Sequence, residues 1–214
     1  METLNDADAV GSDIDYLALV NKQHPLPDGW EEALKTVSIV NSQGDDVEVE
    51  VSAWLAYELL RADLEENNGI YIELDSAYRS VADQQKIMDE FIEKYGAEYT
   101  AKTVALPGTS EHHTGLALDF YFKIKNDDGS FTDVYLNEDM KNPEYIGIRD
   151  TIHAKLADYG FILRYLEGKD DITGYHYEPW HIRYLNDVDI AREIMSQPGL
   201  TLEEYLGETI APES

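Results

Sequence analysis

Residues 110–119 read SEHHTGLALD: two adjacent histidines, a glycine, and an aspartate closing a run of small and apolar residues. In a strand starting near Leu116, the side chains of Leu116, Leu118, Phe120 and Phe122 share the core face, while Ala117, Asp119 and Tyr121 share the other. Asp119 then points away from the core with a small neighbour beside it. Gly115 permits a bend that can bring an imidazole back over that carboxylate. A metal site needs this arrangement, although spacing alone serves an ordinary aspartate on a solvated strand face equally well. A second stretch, YEPWHIRY at residues 177–184, sets Glu178 three positions before His181. In an unbroken strand the two would face opposite sides, but Pro179 cannot join a central ladder and breaks it there. The break lets both side chains converge on one point. A metal-binding imidazole beside a carboxylate that takes the proton of an attacking water is the pairing of zinc hydrolases. Taken alone, E-x-x-H is a weak signal. A third stretch, DSAYRSVADQQ, puts Arg79 between a strand and a capped helix, where loops carry function and a guanidinium can hold a carboxylate or a developing oxyanion. In so acidic a chain it can equally be a surface arginine paired with one of many carboxylates.

These residues need a scaffold, and the periodicity supplies one. YLALVNKQHPLPDGW, broken by Pro25 and Pro27, reads as an extended arm over the core. Helical spacing from Val51 to Asn67 ends at Asn67-Asn68-Gly69. GIYIELDS alternates as a half-buried strand. Ser80 with Asp83 opens a helix whose apolar stripe is Met88, Phe91, Ile92 and Tyr95. AKTVALPGT reads as a loop, LALDFYF as a strand, and NDDGS as the turn of a hairpin toward FTDVYL. Residues 144–159 form a helix stopped by Gly160, and FILRYL and HIRYL are strands separated by the polar loop EGKDDITGYHYEP. The order predicts an α+β fold: one domain with a central, mainly antiparallel sheet flanked by helices. Residues 1–15 read as an acidic flexible tail and 16–214 as the domain.

Composition narrows the classes. Sixteen Lys+Arg against 44 Asp+Glu give a net charge of −28, which argues against a nucleic-acid partner, because phosphate backbones are bound through basic residues. It also disfavours an anionic membrane surface. With no cysteine, a metal site must be built from His, Asp and Glu. No apolar run approaches the roughly 18 residues of a membrane-spanning segment, and METLNDADAVGSDID has neither the basic nor the apolar region of a signal peptide.

Taken together, the three stretches are similar to a known family. SEHHTGLALD fits S-x-H-x-x-G-x-A-x-D at every fixed position, EPWH follows it, and YRS with a glutamine five residues after the arginine precedes it. The chain resembles the D-alanyl-D-alanine carboxypeptidase family of zinc metallopeptidases, over roughly Leu19 to Leu185. The resemblance implies Zn2+ held by His112, Asp119 and His181 on the sheet face, with Glu178 as general base and Arg79 at the oxyanion or anchoring the substrate. It implies Ser110, Gln84 and Trp180 as residues supporting the site or binding substrate. His113 falls on a variable position, His176 is a candidate pocket residue, and His24 and His153 read as structural or solvent-facing. Tyr165, Tyr175, Tyr177 and Trp180 are candidate cleft walls. The implied substrate is a peptidoglycan stem peptide cut before its C-terminal D-alanine, outside the cytoplasm. Related cuts by the same site are the alternatives, L,D-carboxypeptidase or endopeptidase, and a non-catalytic zinc-bearing binding module is a rival of another class. The loop ALPGT, where the family more often has a second proline, bears on substrate preference.

Overall fold

The computed structural model describes residues 13–137 and 140–208, so the expected tail lies outside the described residues as far as residue 12. In chain order the elements are α1 (Trp30–Ala33), β1 (Thr36–Val40), β2 (Asp46–Glu50), α2 (Val51–Asp63), β3 (Tyr71–Ser76), α3 (Val81–Tyr95), α4 (Ala97–Thr103), β4 (Ala117–Lys125), β5 (Phe131–Val134), α5 (Pro143–Lys155), β6 (Phe161–Leu163), α6 (Asp170–Thr173), β7 (His181–Tyr184), α7 (Val188–Ser196) and α8 (Leu202–Tyr205). A π-helical turn, Leu64–Asn68, extends α2, and 3-10 turns cover Glu111–Thr114 and Leu156–Tyr159.

The main sheet runs β3-β4-β7-β6, with β5 also paired to β4, and every pairing is antiparallel. β4 is the long strand. Its first residues pair with β7 and its last with β5, so both partners share one edge. The hairpin expected at NDDGS forms, with Lys125 opposite Phe131. β1 and β2 make a separate two-stranded ribbon.

The core lies on one face of this sheet. Ile72 and Leu74 of β3, Leu118, Phe120 and Phe122 of β4 and Ile182 of β7 pack with Leu116, with Ala53, Tyr57 and Leu60 of α2 and with Ile152 of α5. Burying such side chains contributes about 1.5–3 kcal/mol each. The alternation read for β4 is therefore the observed one. Its second face is not solvated, however: Ala117 and Tyr121 are fully buried there too. Other segments cover that face, and this makes it a site instead of a surface.

One expectation is corrected. Ala101–Thr103 of AKTVALPGT complete α4 instead of belonging to a loop. The apolar stripe of α3 is half-buried at Met88 and Phe91. Gln84 is the buried residue of α3, while Ile92 and Tyr95 are 37% and 48% exposed. Phe91 of this stripe, with Ile87 one turn before it, borders a cavity. The cap at Ser80 is as expected, its hydroxyl accepting the Asp83 N–H.

Candidate metal centre and active site

Strand register brings the key groups together. Asp119 of β4 lies opposite His181 of β7 on one side and Ser76 of β3 on the other. Side chains of directly opposed residues point to the same sheet face, so the Asp119 carboxylate meets the His181 imidazole, Nδ1 standing 3.0 Å from Oδ1. His112 arrives from the 3-10 turn Glu111–Thr114, which ends at Gly115 with φ +71°. This left-handed residue reverses the chain so that His112 Nε2 lies 3.2 Å from Asp119 Oδ2. A Cβ at Gly115 would also meet Leu34 Cδ1 at 3.2 Å. The ring centroids of the two histidines are 4.9 Å apart and nearly perpendicular.

One ligand atom from each of His112, Asp119 and His181 lies within 4.8 Å of the others. Each imidazole is tied at its far nitrogen: His112 Nδ1 donates to Ala77 O at 2.6 Å, and His181 Nε2 lies 3.2 Å from Glu111 Oε2. That leaves the near nitrogens to face Asp119. Asp119 Oδ1 is buried and makes no hydrogen bond, although His181 Nδ1 is close. The pair is near but misaligned, as two ligands aimed at a common third point are. Two imidazoles and a carboxylate, with distal nitrogens anchored, are a donor set that suits zinc.

The charges follow from this packing. Burial would raise Asp119, but the two histidines outweigh it and hold the carboxyl well below the usual range. Burial would lower His181, but Asp119 and Glu111 together push it up to about 10. In His112 burial wins and lowers the imidazole.

Glu178 sits at the turn before β7. Its carbonyl accepts the His181 N–H at 3.2 Å, so the Pro179 break read from the sequence is a real turn. Glu178 Oε2 thereby stands 3.6 Å from His181 Nδ1 instead of on the opposite face. His153 braces the turn, its Nε2 donating to Pro179 O at 2.8 Å.

Arg79 is not a surface arginine. Its guanidinium donates to Gln84 Oε1 at 2.9 Å and Ser76 Oγ at 3.3 Å, and burial lowers it against the pull of Asp119 and Glu178. Gln84 in turn donates to Ala105 O at 2.9 Å. Both ends of its amide are thus occupied by the protein, which makes it a support for Arg79 more than a substrate ligand. His113 is a brace as well. It is fully buried, donates from Nδ1 to Arg79 O at 2.6 Å, and accepts the Gly108 N–H at Nε2.

Arg79, Gln84, Ser110, His112, Asp119, Glu178, Trp180 and His181 all line one cavity of about 260 Å³, with Tyr165 and Tyr175 in its wall. His176 and Tyr177 are not among its lining residues. His176 is exposed and lies 2.5 Å from Asp170. The Tyr175 hydroxyl is buried without a hydrogen bond. Sequence reading missed Glu111, a fully buried carboxylate beside His181. Ser110 and His112 flank it as the fixed positions of the motif, and an acidic residue in so acidic a chain carries no signal of burial.

A family model described as VanY, D-alanyl-D-alanine carboxypeptidase, matches residues 46–187. The chain belongs to the D-alanyl-D-alanine carboxypeptidase family. A D-alanyl-D-alanine carboxypeptidase of Enterococcus faecalis is 36% identical over 216 residues, covering 95% of this chain and 70% of that protein. Among solved structures, the vancomycin-resistance D,D-pentapeptidase VanY in complex with Zn(II) superposes with a TM-score of 0.69 at 31% identity, covering 90% of this chain and 99% of that one. The LD-carboxypeptidase LdcB gives 0.69 at 30% identity, over 91% and 87% of the two chains. The family resemblance and the α+β fold read from the sequence are both borne out. No helix among the described residues is long and apolar enough to cross a membrane.

Proposed function

We propose that this protein is a zinc-dependent D,D-carboxypeptidase that hydrolyses the peptide bond before the C-terminal D-alanine of peptidoglycan stem peptides. The observation that carries this reading is the cluster of His112, Asp119 and His181 with Glu178 beside it, 3.6 Å from His181 Nδ1. The three clustered residues would hold the ion. When bound, zinc supplies Lewis acidity, which lowers the pKa of water from near 16 to about 7 and polarises a carbonyl.

The protein's own groups do the rest. Glu178 takes the proton of the water that attacks the scissile carbonyl and returns it to the leaving amine. Arg79, fixed by Gln84 and Ser76, faces the negative charge that develops on the carbonyl oxygen. Ser110 and the unpaired hydroxyl of Tyr175 offer hydrogen bonds to the substrate, and Trp180 packs against it. No covalent intermediate is required, in keeping with a chain that has no cysteine. Such a substrate belongs to the cell wall, so the protein acts outside the cytoplasm. An L,D-carboxypeptidase acting on tetrapeptide stems is a second reading, favoured by a likeness to LdcB whose TM-score equals that to VanY.

Mass spectrometry of products from zinc-loaded protein with pentapeptide and tetrapeptide stems tests both readings, with Glu178→Ala alongside. Loss of one D-alanine from the pentapeptide, absent in the variant, supports the D,D reading. Cleavage of the tetrapeptide alone moves the specificity to L,D. If neither peptide is cut, both readings fall.

A further inference from the structure

At the cavity wall, which Glu111 helps to form, four charged side chains are buried together. Glu111, Arg164, Arg183 and Glu203 are each fully buried. Glu111 Oε1 accepts from Arg164 Nε and from an Arg183 terminal nitrogen, both at 2.8 Å. The other two nitrogens of Arg164 reach Glu203 at 2.9 and 2.6 Å. The remaining Arg183 donors go to the carbonyls of Tyr16, Ala18 and Tyr184. Two negative and two positive charges cancel, which is the condition for keeping such groups out of water. One atom of the set is directed elsewhere. Oε2 of Glu111, the carboxylate oxygen not held by an arginine, lies 3.2 Å from His181 Nε2.

We propose that Glu111 is the positioning residue for His181, accepting its Nε2–H and so fixing the tautomer whose Nδ1 lone pair faces Asp119 and His112. This rests on the reading of His181 as a metal ligand. A neutral imidazole carries its proton on either nitrogen, and the wrong choice points an N–H into the space where a ligand lone pair is needed. With two guanidiniums on Oε1, the Glu111 carboxylate can neither swing away nor take the donor role. The wrong tautomer would leave Oε2 buried without a donor. His112 is held in the corresponding way by the neutral carbonyl of Ala77. The carboxylate at His181 adds charge, which strengthens the hydrogen bond and raises ligand basicity.

A purely structural role is the alternative, since the same set also ties the N-terminal arm and α8 to β6 and β7. Glu111→Gln separates the two. It keeps the shape, but with the amide oxygen toward the arginines its NH2 faces His181 Nε2, which favours the wrong tautomer. Zinc affinity measured by competition with a chromophoric chelator is expected to fall about 10- to 100-fold, with a changed absorption spectrum after Co(II) substitution. Glu203→Gln disturbs the same charge set without touching His181, and is expected to lower Tm while leaving zinc affinity within a few-fold of the parent. Equal loss of affinity in both variants, or none in Glu111→Gln, overturns the proposal. Long-range 1H–15N correlation on zinc-loaded parent protein needs no variant: a proton on His181 Nε2 supports it, and a proton on Nδ1 overturns it. In His181→Ala, zinc affinity equal to the parent's would show that the ligand assignment itself is wrong, and the proposal would fall with it.

Discussion

The carboxylate of Glu178 lies 3.6 Å from Nδ1 of His181, the nitrogen that also stands 3.0 Å from Asp119. A carboxylate at that distance is close enough to take a proton from water at the cluster without being one of the three clustered donors. Glu178→Gln is therefore expected to keep one zinc per chain, measured by atomic absorption, while kcat falls by about 10²- to 10⁴-fold. Loss of zinc in this variant would make Glu178 a ligand instead.

Asp119 bridges the two histidines, so its charge holds the cluster together. Asp119→Asn keeps the shape and removes the charge, and is expected to abolish stoichiometric zinc binding and activity together. Chelator treatment of the parent protein should remove activity, and added zinc should restore it. Activity that survives full removal of the ion would exclude a metal-dependent reaction.

Arg79 lines the cavity and is held there by Gln84, so the two should differ in degree. Arg79→Ala is expected to lower kcat by about 10²- to 10³-fold. Gln84→Ala removes one charge-assisted hydrogen bond and should cost about tenfold. Steady-state kinetics decide this, and a Gln84 effect confined to KM would make it a substrate ligand.

His153 gives a pH dependence. Burial holds its imidazole down to about 4 against the Pro179 hydrogen bond, compared with about 6.5 in an unfolded chain. Between those values the unfolded chain binds a proton that the folded protein does not. Stability is thus fully present above about pH 6.5 and falls on acidification toward pH 4, by as much as about 3 kcal/mol. In metal-free protein, His153→Gln should flatten the slope of stability against pH over this window. A slope identical to the parent's would mean that His153 titrates normally in the fold.

Gly115 ends the turn that delivers His112, at φ +71° with Leu34 in contact. Gly115→Ala is expected to destabilise the protein by about 1–2 kcal/mol in denaturant titration, with weaker zinc binding because His112 is displaced. No change in either quantity would mean that the turn has slack.

The amino-acid sequence, through its family resemblance, named the candidate donors and their order: His112, Asp119 and His181, the base candidate Glu178 at a proline break, and Arg79 ahead of the Ser80 cap. It also determined the alternation of β4, because side-chain periodicity is local and each strand residue must choose one face. Only the tertiary structure decided which residues meet. The register that puts Asp119 opposite His181 is a pairing between strands about sixty positions apart, and no local pattern encodes it. The same holds for Glu111, whose burial depends on arginines from β7 and from the residue after β6. For the α3 stripe, periodicity identified a common face but not what lies opposite it, which beside Ile87 and Phe91 is a cavity. Local conformation follows from neighbouring residues. Burial and charge pairing follow from residues far apart in the chain, and so belong to the fold as a whole.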